Sequence, residues 1–229
     1  MTTTRDPGRW LYELLAPGYD QLSGEVTLYA TARARAIELL DLRPGATVLD
    51  VASGTGRNHR QILERIGLSG RLVGIDRSPR MLQQARAQTV REGWSNVKLI
   101  EADVTKLTPD LLDELGDVPL TAGFDAVICT LGLTVIPDWR NAWQTMLNLV
   151  HPGGRIAIMD AGYPACAGQA GETVALRPVA WLLCRVFAAD PRRQGWELVA
   201  KDTDNAVEER YTFGYVGVAA GTRGPEADR

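Results

Sequence analysis

The sequence predicts a doubly wound α/β domain: a mostly parallel seven-stranded sheet with helices on both faces, a helical cap at the N-terminus and an antiparallel hairpin at the C-terminus. Three observations carry that expectation. From Ala46 to Asp160, short apolar runs rich in β-branched residues alternate with longer segments of helical periodicity, the pattern of parallel strands joined by right-handed crossovers. One run, Val48-Leu49-Asp50-Val51, passes without a break into Ala52-Ser53-Gly54-Thr55-Gly56, a buried strand feeding a glycine-rich turn. Near the C-terminus, two apolar segments are joined by a loop too short for a crossover helix, which calls for an antiparallel pair.

The elements follow in order. Trp10–Leu15 reads as a short helix broken at Pro17-Gly18, and Glu25–Leu40 as a longer one; together they make a cap over residues 1–45. Ala46–Val51 is the first strand and Arg57–Ile66 the first crossover helix. Arg71–Ile75 is the second strand, ending on Asp76; Ser78 as N-cap and Pro79 at the first helical position then open a helix to Glu92. Asn96–Glu101 is the third strand, ending near Asp103, and Leu111–Leu115 a weaker helix. Phe124–Cys129 is the fourth strand, and Trp139–Leu149 a helix stopped by the turn His151-Pro152-Gly153-Gly154. Arg155–Asp160 is the fifth strand. Residues 161–190 are expected to form an inserted lid segment, with an amphipathic helix over Arg177–Ala189. Trp196–Ala200 and Glu209–Ala219 are the expected hairpin strands. Residues 222–229 read as a disordered tail, leaving 1–221 as one domain.

Composition narrows the function classes. At 229 residues and 45% hydrophobic content the chain can bury one full core. A net charge of -3 without Lys/Arg runs gives no footprint for nucleic acid, so the expected partner is a small molecule. Cys129, Cys166 and Cys184 lack metal-ligand or redox spacing, so no metal site is expected and the thiols read as reduced, in a cytoplasmic protein. Met1 to Gly8 is polar and is expected not to direct export. Val179–Ala189 is interrupted by Arg185 and falls short of the roughly 20 apolar residues that span a bilayer. The sequence leaves a homo-oligomer open.

The glycine loop departs from the dinucleotide pattern G-x-G-x-x-G, because Gly54-Thr55-Gly56 is followed by Arg57, Asn58 and His59. A P-loop is excluded, since no Gly-Lys-Ser/Thr follows. An acid, Asp50, stands four positions ahead of the first glycine, where it would disfavour a phosphate and can orient the loop or reach a cationic ligand group through water. Asp76 and Asp103 put further acids at strand ends, where such sheets bind ligands.

Asp50-Val51-Ala52-Ser53-Gly54-Thr55-Gly56 resembles the first motif of class I S-adenosylmethionine-dependent methyltransferases, a Rossmann-like fold. Gly74 to Leu82 resembles the second motif and Glu101-Ala102-Asp103-Val104 the third. Phe124 to Thr130 and His151 to Arg155 resemble the fourth strand and the turn before the fifth. The branch it is most similar to includes quinone-biosynthesis C-methyltransferases and glycine N-methyltransferase; Ser53 stands where that family often has Cys or Gly. The resemblance implies S-adenosyl-L-methionine as cofactor, Asp76 accepting both ribose hydroxyls and Asp103 accepting from the adenine amino group. Asp50, Ala52, Ser53, Gly54 and Gly56 belong to its loop, and Arg77, Met81, Val104 and Thr130 complete the implied cofactor set. It further implies a basic residue on the helix before the first strand for the methionine carboxylate, Arg33 with Arg35 as fallback, since a guanidinium matches a carboxylate with two prongs.

A sulfonium is its own leaving group, so the protein must mainly align the acceptor and exclude water. The candidate catalytic groups are His59 just beyond the loop, Tyr19 at the break in the cap and Asp160 at the end of the fifth strand. Tyr12, Asp20, Tyr29 and Tyr163 are their expected neighbours. Each has a structural alternative: a packing histidine, a packed tyrosine, a strand terminus. His151 reads as a turn residue. Trp181 and Phe187 in the lid segment suggest a lipophilic or aromatic acceptor methylated on nitrogen, oxygen or carbon. A non-methylation reaction such as cyclisation, or a non-catalytic cofactor-binding module, stays open at this point; a dehydrogenase is disfavoured by the missing third glycine.

Overall fold

A computed structural model describes residues 29–108, 110–112, 123–163, 178, 180–182, 184–185 and 188–225. The expected helix Trp10–Leu15, together with Tyr12, Tyr19, Asp20, Cys166 and Phe187, lies outside the described residues, as does most of the lid segment. The strands are β1 (Thr47–Val51), β2 (Arg71–Asp76), β3 (Val97–Glu101), β4 (Phe124–Thr130), β5 (Val150–Ala161), β6 (Asp204–Tyr211) and β7 (Val216–Thr222). They form a seven-stranded sheet of order β3-β2-β1-β4-β5-β7-β6, in which β7 alone runs against its neighbours β5 and β6. The helices are α1 (Ala30–Glu38), α2 (His59–Ile66), α3 (Pro79–Glu92), α4 (Trp139–Leu149) and α5 (Gly195–Asp202).

Alternation along the strands divides the core. Leu49, Val51, Val73, Ile75, Val127, Ile156 and Ile158 point to one face, against Trp143 and Met146 of α4 and Trp196 of α5. Val48, Leu72, Ala126, Ile128, Ala157 and Met159 point to the other, against Ile37 of α1 and Ile62 and Ile66 of α2. A strand buried on both sides needs continuous apolar character, and β1 keeps it except at Asp50, which is buried all the same. The chain order reverses between β1 and β4, which are adjacent and parallel. That is the topological switch point, and the crevice beyond its strand ends is where a ligand fits.

Two expectations at the C-terminus need correction. Trp196–Ala200 is part of helix α5, not a strand: Trp196 and Val199, three apart, are buried along with Gly195, and Glu197, Ala200 and Lys201 face out. The β-favouring residue types Trp and Val are there because the helix packs on the sheet, and burial overrides propensity. The hairpin is instead β6 with β7. Its first strand contains the Asp204-Asn205 stretch expected to be loop, and its turn runs through Thr212, Phe213 and Gly214, all at positive φ. Charged residues are tolerated in β6 because it is an edge strand with exposed positions. The expected tail also begins too early. Thr222 ends β7, and Arg223 exchanges backbone hydrogen bonds with Gly153 and Gly154. His151–Gly154, expected as a turn ahead of a strand starting at Arg155, instead lies within β5, at a register shift between two pairing points, Phe124 with Val150 and Ala126 with Arg155.

Candidate active site

The loop after β1 takes its shape from its residue types. Ala52 sits at φ 53 and Gly54 and Gly56 at φ 56 and 89, a run of left-handed conformations in which glycine is at ease and alanine is strained. The loop docks on β2 through Ser53 N–H to Ile75 O at 3.0 Å. Asp76, at the end of β2, accepts from Gly54 N at 2.9 Å and from Ser78 N at 2.8 Å. Each carboxylate oxygen is thereby fixed by one N–H and keeps lone-pair capacity for another donor. Burial raises the pKa of Asp76, against those backbone bonds. Ser78 caps α3 through its hydroxyl, which accepts from Met81 N at 3.4 Å.

A cavity opens at the switch point. It is lined on the β1 and β2 side by Ala52, Ser53, Gly54, Asp76, Arg77 and Met81, and on the far side by Val104, Thr130, Leu131, Gly132 and Val135 to Pro137, with Arg33 also at its wall. Most of the expected cofactor residues are therefore brought together. Three are not at the surface of the cavity. Asp50 is fully buried behind the loop. Gly56 holds the loop's fold, where an added Cβ would lie 2.6 Å from His59 Nδ1. Asp103 accepts from Thr105 N and Oγ1 at 3.1 and 2.8 Å and meets Arg77 Nε at 3.6 Å.

Arg33 is the buried cation of the site, 6% exposed. Its Nη1 donates to Asn58 Oδ1 and to Thr130 Oγ1, both at 2.6 Å. Asn58 Nδ2 in turn donates to Asp50 Oδ1 at 2.7 Å and lies 3.1 Å from Thr130 Oγ1. Arg35, the fallback, is engaged elsewhere: its guanidinium holds Glu209 with Nε and Nη2 at 3.0 and 2.7 Å. Asn58 was not among the expected residues. An asparagine just ahead of a helix reads as an N-cap, yet here it makes no side-chain cap bond and turns its amide inward.

Of the two readings of His59, catalytic group or packing histidine, the catalytic one needs correction. Its ring is fully buried, lies 3.5 Å from Asp50 Oδ2, packs edge-on to Trp94 and does not line the cavity. Burial lowers its pKa to about 4, so it is neutral near pH 7. Asp160 also stays behind the cavity wall: fully buried, it accepts from Thr134 N at 3.0 Å, Thr134 Oγ1 at 2.5 Å and Ala161 N at 3.0 Å. It shapes the loop after β4 in place of facing an acceptor. His151 meets Asp125 at 3.2 Å on the surface. Tyr29 is buried, its hydroxyl 3.4 Å from that of Tyr215. Cys129 and Cys184 are free and buried.

These buried groups give stability a defined pH response. Burial raises the pKa of Asp50 to about 7 and of Asp160 to about 6. A raised carboxyl contributes stability below its unfolded value that is lost as pH climbs through the folded one; the depressed His59 does the reverse. Asp50→Asn removes one falling contribution. The melting temperature of the native chain minus that of Asp50→Asn should therefore decrease between pH 3.8 and about 7. A gap independent of pH would show that Asp50 does not titrate in that window.

The methyltransferase-domain family matches residues 42–184, more than half of the chain and the whole of the loop, the switch point and the acids at the strand ends. The chain belongs to that family. S-adenosylmethionine is the cofactor the family uses, and the domain is of the class I type that transfers its methyl group. Among characterised proteins, the chain is 29% identical over 161 residues to demethylmenaquinone methyltransferase of Listeria monocytogenes, covering 69% of this chain and 63% of that protein. It is 31% identical over 156 residues to 2-phytyl-1,4-naphtoquinone methyltransferase of Thermosynechococcus vestitus, covering 67% and 64%. The chain thus spans a little under two thirds of the length of these relatives. In fold it resembles a chain of the complex between the Haloferax volcanii Trm112 methyltransferase activator and a methyltransferase, with TM-score 0.69 at 16% identity over 97% of this chain and all of that one. A S-adenosylmethionine-dependent methyltransferase from Aquifex aeolicus gives TM-score 0.57 at 15% identity, covering 91% and 96%. Among the described residues no helix is long and apolar enough to cross a membrane, and no cluster of metal-binding side chains occurs.

Proposed function

We propose that this methyltransferase domain methylates a small lipophilic ring acceptor of the hydroquinone class, with S-adenosylmethionine held across the switch point. The cofactor supplies an electrophilic methyl group on a sulfonium leaving group. The chain's own residues hold, orient and dry it. In this reading Asp76 takes the ribose hydroxyls, Met81 and Val104 flank the adenosine, Gly54 lets the backbone approach, and Arg33 receives the α-carboxylate. The residues fit the cofactor on one feature above all: a carboxylate with spare acceptor capacity and a buried guanidinium line one cavity, with the left-handed loop beside them.

The observation that favours a hydroquinone is the chemistry of the cavity wall. Among the described residues, its titratable groups are Arg33, Arg57, Asp76 and Arg77, and the remainder of the wall after β4 is Leu131, Gly132, Val135, Ile136 and Pro137 beyond Thr130. Asp76 is committed to the cofactor, so no other base faces the acceptor from these residues. An electron-rich ring needs none, since its carbon is itself the nucleophile, the carbon–sulfur bond of the sulfonium breaks as the carbon–methyl bond forms, and the displaced ring proton then passes to water. The names of the quinone methyltransferases to which the chain is similar agree with that choice. Incubation with S-adenosylmethionine and a panel of prenylated naphthohydroquinones, simple phenols and small amines is the test. Methylated naphthohydroquinone with stoichiometric S-adenosylhomocysteine is the expected product. Turnover confined to the amines would overturn the acceptor class.

A further inference from the structure

We infer that Arg193 is a positioning residue for the acceptor: from outside the cavity it clamps the loop after β4 and so sets the wall that the methyl acceptor meets. The inference rests on the reading above that this wall faces the acceptor. Val135, Ile136 and Pro137 line the cavity, and Arg193 does not. Its Nη1 donates to two carbonyls of that loop, Thr134 O at 3.1 Å and Ile136 O at 2.6 Å, one on each side of Val135. Asp190 N donates to the same Thr134 O at 2.9 Å. From the sheet, the buried Asp160 accepts from Thr134 N and Oγ1 at 3.0 and 2.5 Å. Thr134 is thus gripped from two sides, by the end of β5 and by the turn Asp190–Arg193 that leads into α5. The three residues that follow it are the wall.

The residue type matters. Within the loop, Val135 N and Ile136 N both donate to Gly132 O at 3.0 Å, so the carbonyls of Thr134 and Ile136 take their donors from the turn. A guanidinium carries five N–H donors on a rigid plane. One of its nitrogens bridges carbonyls two residues apart while Nε lies 3.7 Å from Asp190 Oδ2. The Asp190 carboxylate is itself held by Arg192, through Nε at 2.9 Å and Nη2 at 3.0 Å, and does not draw Arg193 off the loop. A lysine ammonium is a point donor on a flexible stem and would hold the two carbonyls less firmly. The clamp bears on affinity because a loop that must be ordered when a ligand arrives weakens binding, and one ordered beforehand does not.

The test uses the compound of the panel above that the native chain methylates, a prenylated naphthohydroquinone on the proposed reading. Arg193→Ala should raise the KM for that acceptor about tenfold, the cost of ordering one or two side chains on binding. The KM for S-adenosylmethionine and the Kd of S-adenosylhomocysteine should stay unchanged. Arg193→Lys should recover part of the loss, and Arg193→Gln supplies the comparison should the alanine variant not fold. A protein that is merely destabilised has fewer active molecules, so kcat falls while both KM values stay; that result overturns the inference. An equal rise in both KM values, or no change in any parameter, overturns it too. Ile136→Ala, in the wall itself, separates the two levels. A rise in acceptor KM there but not at Arg193 leaves the wall to the acceptor and removes Arg193 from it. No rise in either variant removes the wall from the acceptor. Absence of turnover by the native chain with every compound of the panel removes the acceptor reading and this inference with it.

Discussion

Asp76→Ala is expected to weaken S-adenosylmethionine binding about a hundredfold or more, the loss of two charge-assisted hydrogen bonds to the ribose. The side chain is well placed for so large an effect. Its two oxygens are fixed by Gly54 N–H and Ser78 N–H, so little rotational freedom remains to be lost when the cofactor arrives. Alanine also releases Gly54 from that anchor, so of the loop's two ties to β2 only Ser53 N–H to Ile75 O remains. Asp76→Asn keeps the shape and one acceptor, and should fall between the two, near tenfold. Calorimetric titration of the three proteins checks the series. Equal affinity for the native chain and Asp76→Ala would remove Asp76 from the site.

The largest effect on stability is expected at Trp196. Its ring is fully buried between the backbones of two glycines: an added Cβ at Gly217 would lie 2.4 Å from Cε3, and one at Gly162 would lie 2.5 Å from Cη2. The Arg210 guanidinium covers the ring at 4.0 Å from its centre. Trp196→Ala should destabilise the fold by about 3–5 kcal/mol, the transfer and cavity cost of a large aromatic. Gly217→Ala, by overpacking, should cost about 1–3 kcal/mol. In the double variant the new methyl group enters the space the indole has left, so the loss should be smaller than the sum of the two. Urea denaturation of the four proteins measures that coupling; strict additivity would mean that the ring and Gly217 do not compete for the same volume.

How far the sequence disclosed the molecule depended on which force acted locally. The parallel half of the sheet was legible because its strands are mostly apolar runs and helix starts carry their own punctuation, as in Ser78-Pro79 ahead of α3. The C-terminal third was harder to read. There α5 uses Trp and Val for packing, and β6 uses Asp, Glu and Arg because it is an edge. Within the site, the acids at strand ends and the loop glycines stood out by spacing. His59 misled because a histidine near a ligand loop looks chemical, whereas this one fills the space that Gly56 and Gly74 leave beneath the loop. Asn58 was hidden for the opposite reason, since it fell inside the expected helix Arg57–Ile66, which the structure begins at His59. Asp160 could not be assigned from sequence, because its partner Thr134 is 26 residues away in the chain. The choice between Arg33 and Arg35 was also tertiary: Glu209, on β6, engages Arg35.

The most direct test is a crystal structure of the protein with S-adenosylhomocysteine. The ribose hydroxyls are expected on the Asp76 carboxylate and the α-carboxylate within hydrogen-bond reach of Arg33. Adenosine bound away from Asp76, or an α-carboxylate turned from Arg33, would contradict the assignment of this cavity to the cofactor.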